Sequence, residues 1–151
     1  MLVALASDHG GFQLKEKIKQ KLIQQGHDVK DFGTDNEESC DYPDYAYPAA
    51  VAVANNECQR GIVCCGTGIG VSIVANKVDG VRCALAHDVY SAKMTREHND
   101  SNMLALGARV IQEKLALEII EVWMNTEFVG GRHTTRIDKI RQIEKMVKED
   151  E

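Results

Sequence analysis

No stretch of this chain stays apolar for the roughly 20 residues that a bilayer-spanning helix needs, so no membrane segment is expected. The opening residues, Met1 to Asp8, lack the basic region of a secretory signal and run straight into a strand-like pattern, so no leader is expected. Cysteine is scarce and unpatterned. There are five, an odd number, and Cys64-Cys65 are adjacent rather than set in a C-x-x-C spacing. A disulfide framework and a zinc site are therefore not expected, and a reducing, cytoplasmic setting is. Positive charge is not in excess: the formal net charge is −5, which speaks against nonspecific binding to nucleic acid. Repeats, low-complexity tracts and linkers are missing as well. A chain of 151 residues suits a single domain over 1–151, able to bury roughly 68–70% of its unfolded surface.

What is present is organised around residues 61–71, Gly-Ile-Val-Cys-Cys-Gly-Thr-Gly-Ile-Gly-Val. Ile62 to Cys65 is a short apolar run suited to a buried parallel strand. Gly66, Gly68 and Gly70 then alternate with Thr67 and Ile69 ahead of a helix-compatible segment, Val71 to Lys77. Strand, glycine turn and helix start make a cradle of backbone N–H groups that favours negative charge. No Lys-Ser/Thr follows the last glycine, so this is not a phosphate loop of the Walker type, and Val71 stands where a dinucleotide fingerprint needs its third glycine. The cradle has a thiol, Cys65, at its rim and a hydroxyl, Thr67, inside it, which suggests acid–base chemistry beside an oxyanion site. Glycine patterns this short also occur in plain strand-to-helix turns, and that reading stays open at this point.

Along the chain, Leu2–Ala6 reads as a first strand followed by the turn Ser7-Asp8-His9-Gly10-Gly11. Leu14, Ile18 and Leu22 mark an amphipathic helix that Gly26 ends. Val29–Phe32 reads as a second strand, and Gly33–Asp44 as a polar loop. Tyr45–Asn55 reads as a helix with Pro48 in its first turn. Val81–Ala86 is a fourth strand, Asp88 caps a helix to about Glu97, and Met103–Leu106 is a fifth strand. Leu115–Met124, with Trp123, forms an apolar helix of core or interface character. After Gly130-Gly131 comes a last helix over about 135–148, with Thr135 and Asp138 as a weak capping pair. Strands alternating with helices imply an α/β fold: a three-layer Rossmann-like arrangement with a five-stranded parallel sheet and helices on both faces. Ligands then bind beyond the carboxyl ends of the strands, where Asp8, His9, Cys65, Thr67 and Arg109 fall. His98 and Asn99 precede a strand and reach that edge only through tertiary folding. Arg82, Arg96 and Arg141 are read as solvated surface, and Cys40, Cys58, Cys64 and Cys83 as inert thiols.

Several of these stretches, taken in order, resemble one family: Ser7–Gly11, Asp41-Tyr42-Pro43-Asp44, Cys65–Gly70, Ala75-Asn76-Lys77, Arg96–Asn102 and Gly130-Gly131-Arg132-His133. The chain is similar to the sugar-phosphate isomerases that include ribose-5-phosphate isomerases of type B and the galactose-6-phosphate isomerase subunits. That resemblance implies a metal- and cofactor-independent aldose–ketose isomerase, a homodimer or homotetramer. Its expected reaction converts ribose 5-phosphate and ribulose 5-phosphate through an enediolate, in the pentose phosphate pathway. It implies Cys65 as the base between C1 and C2, since the branch that uses a glutamate after the loop has Val71 here. It further implies Thr67 for proton traffic between the oxygens, and His98 with Asp8 for ring opening. Asn99 and the backbone of Gly66, Gly68 and Gly70 would hold the enediolate, and Tyr42 would line the sugar. His9, Arg109, Arg132 and Arg136 would bind phosphate, the C-terminal segment reaching a partner subunit. Allose 6-phosphate, a galactose 6-phosphate subunit role, a non-catalytic phosphosugar sensor and a nucleotide-binding module are the competing readings. Cys65, Thr67 and His98 together favour the self-sufficient isomerase.

Overall fold

The computed structural model describes residues 1–150. Its elements are β1 (Leu2–Ser7), a 3-10 turn (His9–Gly11), α1 (Phe12–Gln24), β2 (Asp28–Asp31), α2 (Pro43–Ala54), β3 (Arg60–Cys65) and α3 (Ile69–Asn76). They continue with β4 (Cys83–Leu85), α4 (Val89–Asn99), β5 (Met103–Gly107), α5 (Glu113–Asn125) and α6 (Arg132–Glu149). Every strand pairing is parallel and the sheet order is β2-β1-β3-β5-β4. This is the Rossmann-like α/β fold expected from the alternation of elements.

Side-chain alternation along the strands builds two cores. Val3, Leu5, Ile62, Cys64, Leu104 and Leu106 point to one face, under α1, α4 and α5. Ala4, Ala6, Val63, Cys65, Met103 and Ala105 point to the other, under α2 and α3. Trp123, fully buried in the first core, donates its indole N–H to Ser101 Oγ at 2.9 Å. Steps outward to β2 and inward from β4 to β5 carry α1 and α4 on one face. Steps in the other direction carry α2 and α3 on the opposite face, as crossovers of one hand require. The chain leaves β1 toward one side and β3 toward the other, so the crevice of the sheet opens between β1 and β3, at their carboxyl ends.

Several local expectations shift. The helix after the polar loop starts at Pro43, which fills a first-turn position where its missing N–H costs nothing. Pro48 therefore lies inside α2 rather than in its first turn. The fourth strand shortens to Cys83–Leu85 at the sheet edge. α6 begins at Arg132 behind Gly131, so Thr135 and Asp138 lie within the helix and cap nothing. Finally, Arg96 is only 6% exposed, not solvated surface. Its Nε donates to Thr126 O, and its Nη1 to Ser101 O and Asp100 Oδ1.

α1 is tied to the outer strand by charge. Lys15, 1% exposed, and Lys19 each reach Asp31 Oδ2 at 2.6 Å. Burial alone would raise the Asp31 carboxyl, but hydrogen bonds from Lys15, Lys19 and the Gly33 N–H outweigh it and hold the group below its ordinary range.

Candidate active site

The two adjacent thiols at the end of β3 have opposite fates because successive strand residues face opposite sides. Cys64 lies in the α1 core, where burial pushes its thiol far up and keeps it protonated. Cys65 turns to the other face at the strand's end, and its Sγ accepts the Gly68 N–H at 3.1 Å. That bond needs a left-handed residue at position 68, where φ is 77°, and glycine supplies it. A Cβ there would lie 2.7 Å from Leu85 Cδ1 and 2.8 Å from the Leu106 carbonyl carbon. Thr67 is exposed, and its Oγ1 accepts the Ile69 N–H at 3.2 Å. The first-turn N–H groups of Gly70 and Val71 have no intrahelical acceptor. The thiol thus sits beside a patch of backbone donors at the N-terminus of α3.

Other side chains close on this loop from neighbouring elements. Asp8, at the end of β1 and 8% exposed, caps the 3-10 turn by accepting the Gly11 N–H at 3.1 Å. Arg109, just past β5, donates its backbone N–H to Gly66 O at 2.9 Å. Its guanidinium lies against Gly66 and Gly10, within 3.1 Å and 3.3 Å of where a Cβ would stand. His9 Nδ1 accepts the Cys40 N–H at 3.2 Å, so in the neutral ring the proton sits on Nε2, ready to donate. Tyr42 lays its ring over Gly70, with Cζ 2.6 Å from the place a Cβ would take. A cleft of about 370 Å³ opens beside His9, Gly10, Gln13, Lys17 and Arg109. One contributor has no signal in the sequence: His87 Nε2 accepts the Gly107 N–H at 3.1 Å and so steadies the strand end under Thr67.

The remaining candidates lie elsewhere in the same chain. α4 runs back from the carboxyl edge, and β5 starts with Met103 opposite Gly61, at the amino end of β3. Cys65 pairs with Gly107 at the far end, four strand steps or about 13 Å away. His98 and Asn99, in the last turn of α4, are therefore at the amino edge of the sheet. There the His98 ring stacks on His133 of α6 at 4.2 Å with an 11° interplanar angle. Loss of solvent, then the neighbouring charges of His98, Arg132 and Arg136, hold the His133 imidazole below its ordinary value. Helical geometry does extend back to Arg132, so Arg132 and Arg136 share a face of α6. One chain thus presents Asp8, His9, Tyr42, Cys65–Gly70 and Arg109 at one edge and His98, Asn99, Arg132 and Arg136 at the other.

A parallel α/β sheet with a thiol beside backbone donors at its switch point defines a class: small α/β proteins whose ligand site lies at the carboxyl ends of the strands. Comparison narrows the class. The model of the Ribose/Galactose Isomerase family matches residues 3–140. Ribose-5-phosphate isomerase B of Escherichia coli (strain K12) is 45% identical over 142 residues, covering 94% of this chain and 95% of that one. The solved structure of Clostridium thermocellum ribose-5-phosphate isomerase B superposes with a TM-score of 0.96 at 53% identity, over 97% of this chain and 99% of that one. A Mycoplasma genitalium ribose-5-phosphate isomerase B, solved with bound ribulose-5-phosphate, gives 0.92 at 38% identity over 95% and 96%. The chain belongs to the Ribose/Galactose Isomerase family and is an isomerase.

Proposed function

We propose that this chain interconverts D-ribose 5-phosphate and D-ribulose 5-phosphate, and that each site is built from two copies of it. The observation that carries the reading is the split of the polar residues between opposite edges of one sheet. Beside the Cys65 loop the two imidazoles, His9 and His87, accept the backbone N–H groups of Cys40 and Gly107, and the histidine that the family resemblance assigns to ring opening, His98, is at the other edge. That other edge also carries Asn99, Arg132 and Arg136. A symmetric dimer that sets the carboxyl edge of one copy against the amino edge of the other completes two sites at once. Apolar surface supports such a partner. On α6 the chain buries only Ile137, while Ile140, Ile143, Met146 and Val147 stay 42–57% exposed. Ile69 and Ile73 of α3 are 50% and 55% exposed.

In this reading the second copy's His98, with Asp8, moves the proton that opens the furanose. Cys65, its Sγ accepting the Gly68 N–H, acts as the base that takes the C2 proton of the open aldose, while the C1–O1 π pair moves onto O1 as the oxyanion. The electron pair of the C–H bond forms the C1–C2 double bond of the enediolate. The first-turn N–H groups of α3 and Asn99 of the second copy stabilise the developing oxyanion. Thr67 relays the hydroxyl proton from O2 to O1, and Cys65 returns its proton to C1, giving the ketose. His9 and Arg109, with Arg132 and Arg136 from the second copy, hold the phosphate and so fix the reacting carbons. The reaction belongs to pentose phosphate metabolism in the cytoplasm. Ribose 5-phosphate, allose 6-phosphate and galactose 6-phosphate, assayed side by side, test the substrate. A pentose kcat/KM at least tenfold above either hexose is expected, and a hexose preference would overturn the assignment.

A further inference from the structure

Four arginines line a second cleft, of about 400 Å³, at the amino edge of the sheet. Arg60 opens β3, Arg82 precedes β4, Arg96 closes α4 and Arg141 comes from α6. They face a single carboxylate, Asp100, in a protein whose net charge is −5. Each guanidinium is tethered by only part of its donors. Arg60 spends Nη1 on Trp123 O at 2.7 Å and Met124 O at 3.1 Å. Arg82 spends Nε on Asn99 O and Nη2 on Asp100 O. Arg96 spends Nε and Nη1, and Arg141 spends Nη1 on Asp138 at 2.9 Å. This leaves Nε and Nη2 of Arg60 and Arg141, Nη1 of Arg82 and Nη2 of Arg96 without a protein acceptor. Among the described residues the one side-chain polar atom both buried and unpaired is Ser7 Oγ, so these arginine donors open to solvent. The wall is rich in donors and its one carboxylate is already engaged. Burial first, and then the nearby Arg96, pull the Arg60 guanidinium down to about 10 against the opposing pull of Asp100.

This cleft is distinct from the phosphate group assigned above. At 100° per residue, Arg141 is turned about 140° around α6 from Arg136 and lies about 7.5 Å further along. The two arginines therefore serve different faces.

We propose that the arginine cleft is a second binding site, for a small, multiply charged anion of the phosphate class. Several forked donors converging on one volume suit a ligand with oxygens on more than one phosphorus, because each guanidinium can engage its own oxygen pair. Arg82 and Arg96 also hold the turn after Asn99, so an occupant would contact the supports of His98.

The test is a titration of the full-length, isotope-labelled protein with pyrophosphate at constant ionic strength, followed by backbone amide spectra. Saturable shifts at Asn56, Gln59, Gly80 and Asn102 are expected, with orthophosphate binding at least tenfold more weakly there. Arg141→Gln should weaken pyrophosphate three- to tenfold at these amides, and adding Arg60→Gln should weaken it further. Shifts at Gly66 to Gly70 should stay as in the unsubstituted protein. Because Arg60 also ties the end of α5, Arg141→Gln alone is sufficient to decide. Shifts confined to Gly66–Gly70 and Arg109, or cleft shifts that chloride reproduces at equal ionic strength, or an unchanged affinity in Arg141→Gln, would each overturn the proposal.

Discussion

Two glycines of the same loop, two positions apart, should respond oppositely to a single added methyl. At Gly68, φ is 77°, and the new Cβ would meet Leu85 at 2.7 Å and the Leu106 and Gly107 backbone at 2.8 and 3.0 Å. Strand backbone cannot retreat. A left-handed non-glycine residue costs roughly 1–2 kcal/mol and overpacking about 1–3 kcal/mol more. Gly68→Ala should therefore lose about 2–5 kcal/mol, or roughly 5–15 °C in Tm for a chain of this size. At Gly70 the methyl would meet Tyr42 Cζ at 2.6 Å. Tyr42 is 38% exposed and free to swing outward. Restoring an ordinary contact of 3.4 Å moves the ring by at least 0.8 Å. Alanine in a helix gains roughly 0.5–1 kcal/mol over glycine, so Gly70→Ala should keep or slightly raise Tm. Its kcat/KM should fall roughly 10- to 100-fold, because displacements near 1 Å misalign a bound substrate. Thermal unfolding and steady-state kinetics on both variants decide it. Equal destabilisation of the two, or Gly70→Ala with unchanged kinetics, would refute the steric account of the loop.

Cys65→Ala should lower kcat by roughly 10²–10⁴, the contribution of a positioned base, with phosphosugar binding retained by calorimetry. Cys64→Ala should cost only packing, about 1 kcal/mol in denaturant titration, and leave turnover intact. Asp31, whose carboxyl is held below its ordinary 3.8, stabilises the fold at pH values above its unfolded pKa. That contribution is lost as pH falls through the folded value. Asp31→Asn should therefore cost about 1–3 kcal/mol at pH 7, less than the roughly 3–5 kcal/mol of a fully buried pair, since Asp31 is 25% exposed and Glu16 still reaches Lys15. Below about pH 4 its stability should fall less steeply than that of the parent, as urea titrations across pH would show.

The sheet and its site edge were legible in the sequence because the strand runs are short and apolar and the glycines sit at their ends. The same patterns gave Cys65, Thr67, Asp8 and Arg109 a common edge. Three things were not legible. Arg96 reads as a helix-surface cation, and only the approach of the segment around Thr126 buries it. His87 lies in a loop with no motif, and its role depends on the Gly107 N–H meeting it across two elements. The start of α6 at Arg132 was hidden because Gly131 offers no side-chain cap and Thr135 mimics one. The separation of His98 from Cys65 follows from topology: a helix that returns between parallel strands must end at the opposite edge from where it began.

The central claim is that each site joins the Cys65 loop of one copy to His98 and the α6 arginines of another. A Cys65→Ala chain and a His98→Asn chain, carrying different tags, should each be nearly inactive alone. In a purified mixed dimer one site carries both lesions and the other neither. Turnover should then return to about half that of the unsubstituted dimer, as two-fold symmetry requires. A mixed dimer shown to have formed yet no more active than its parents would place His98 in its own chain's site and contradict the account.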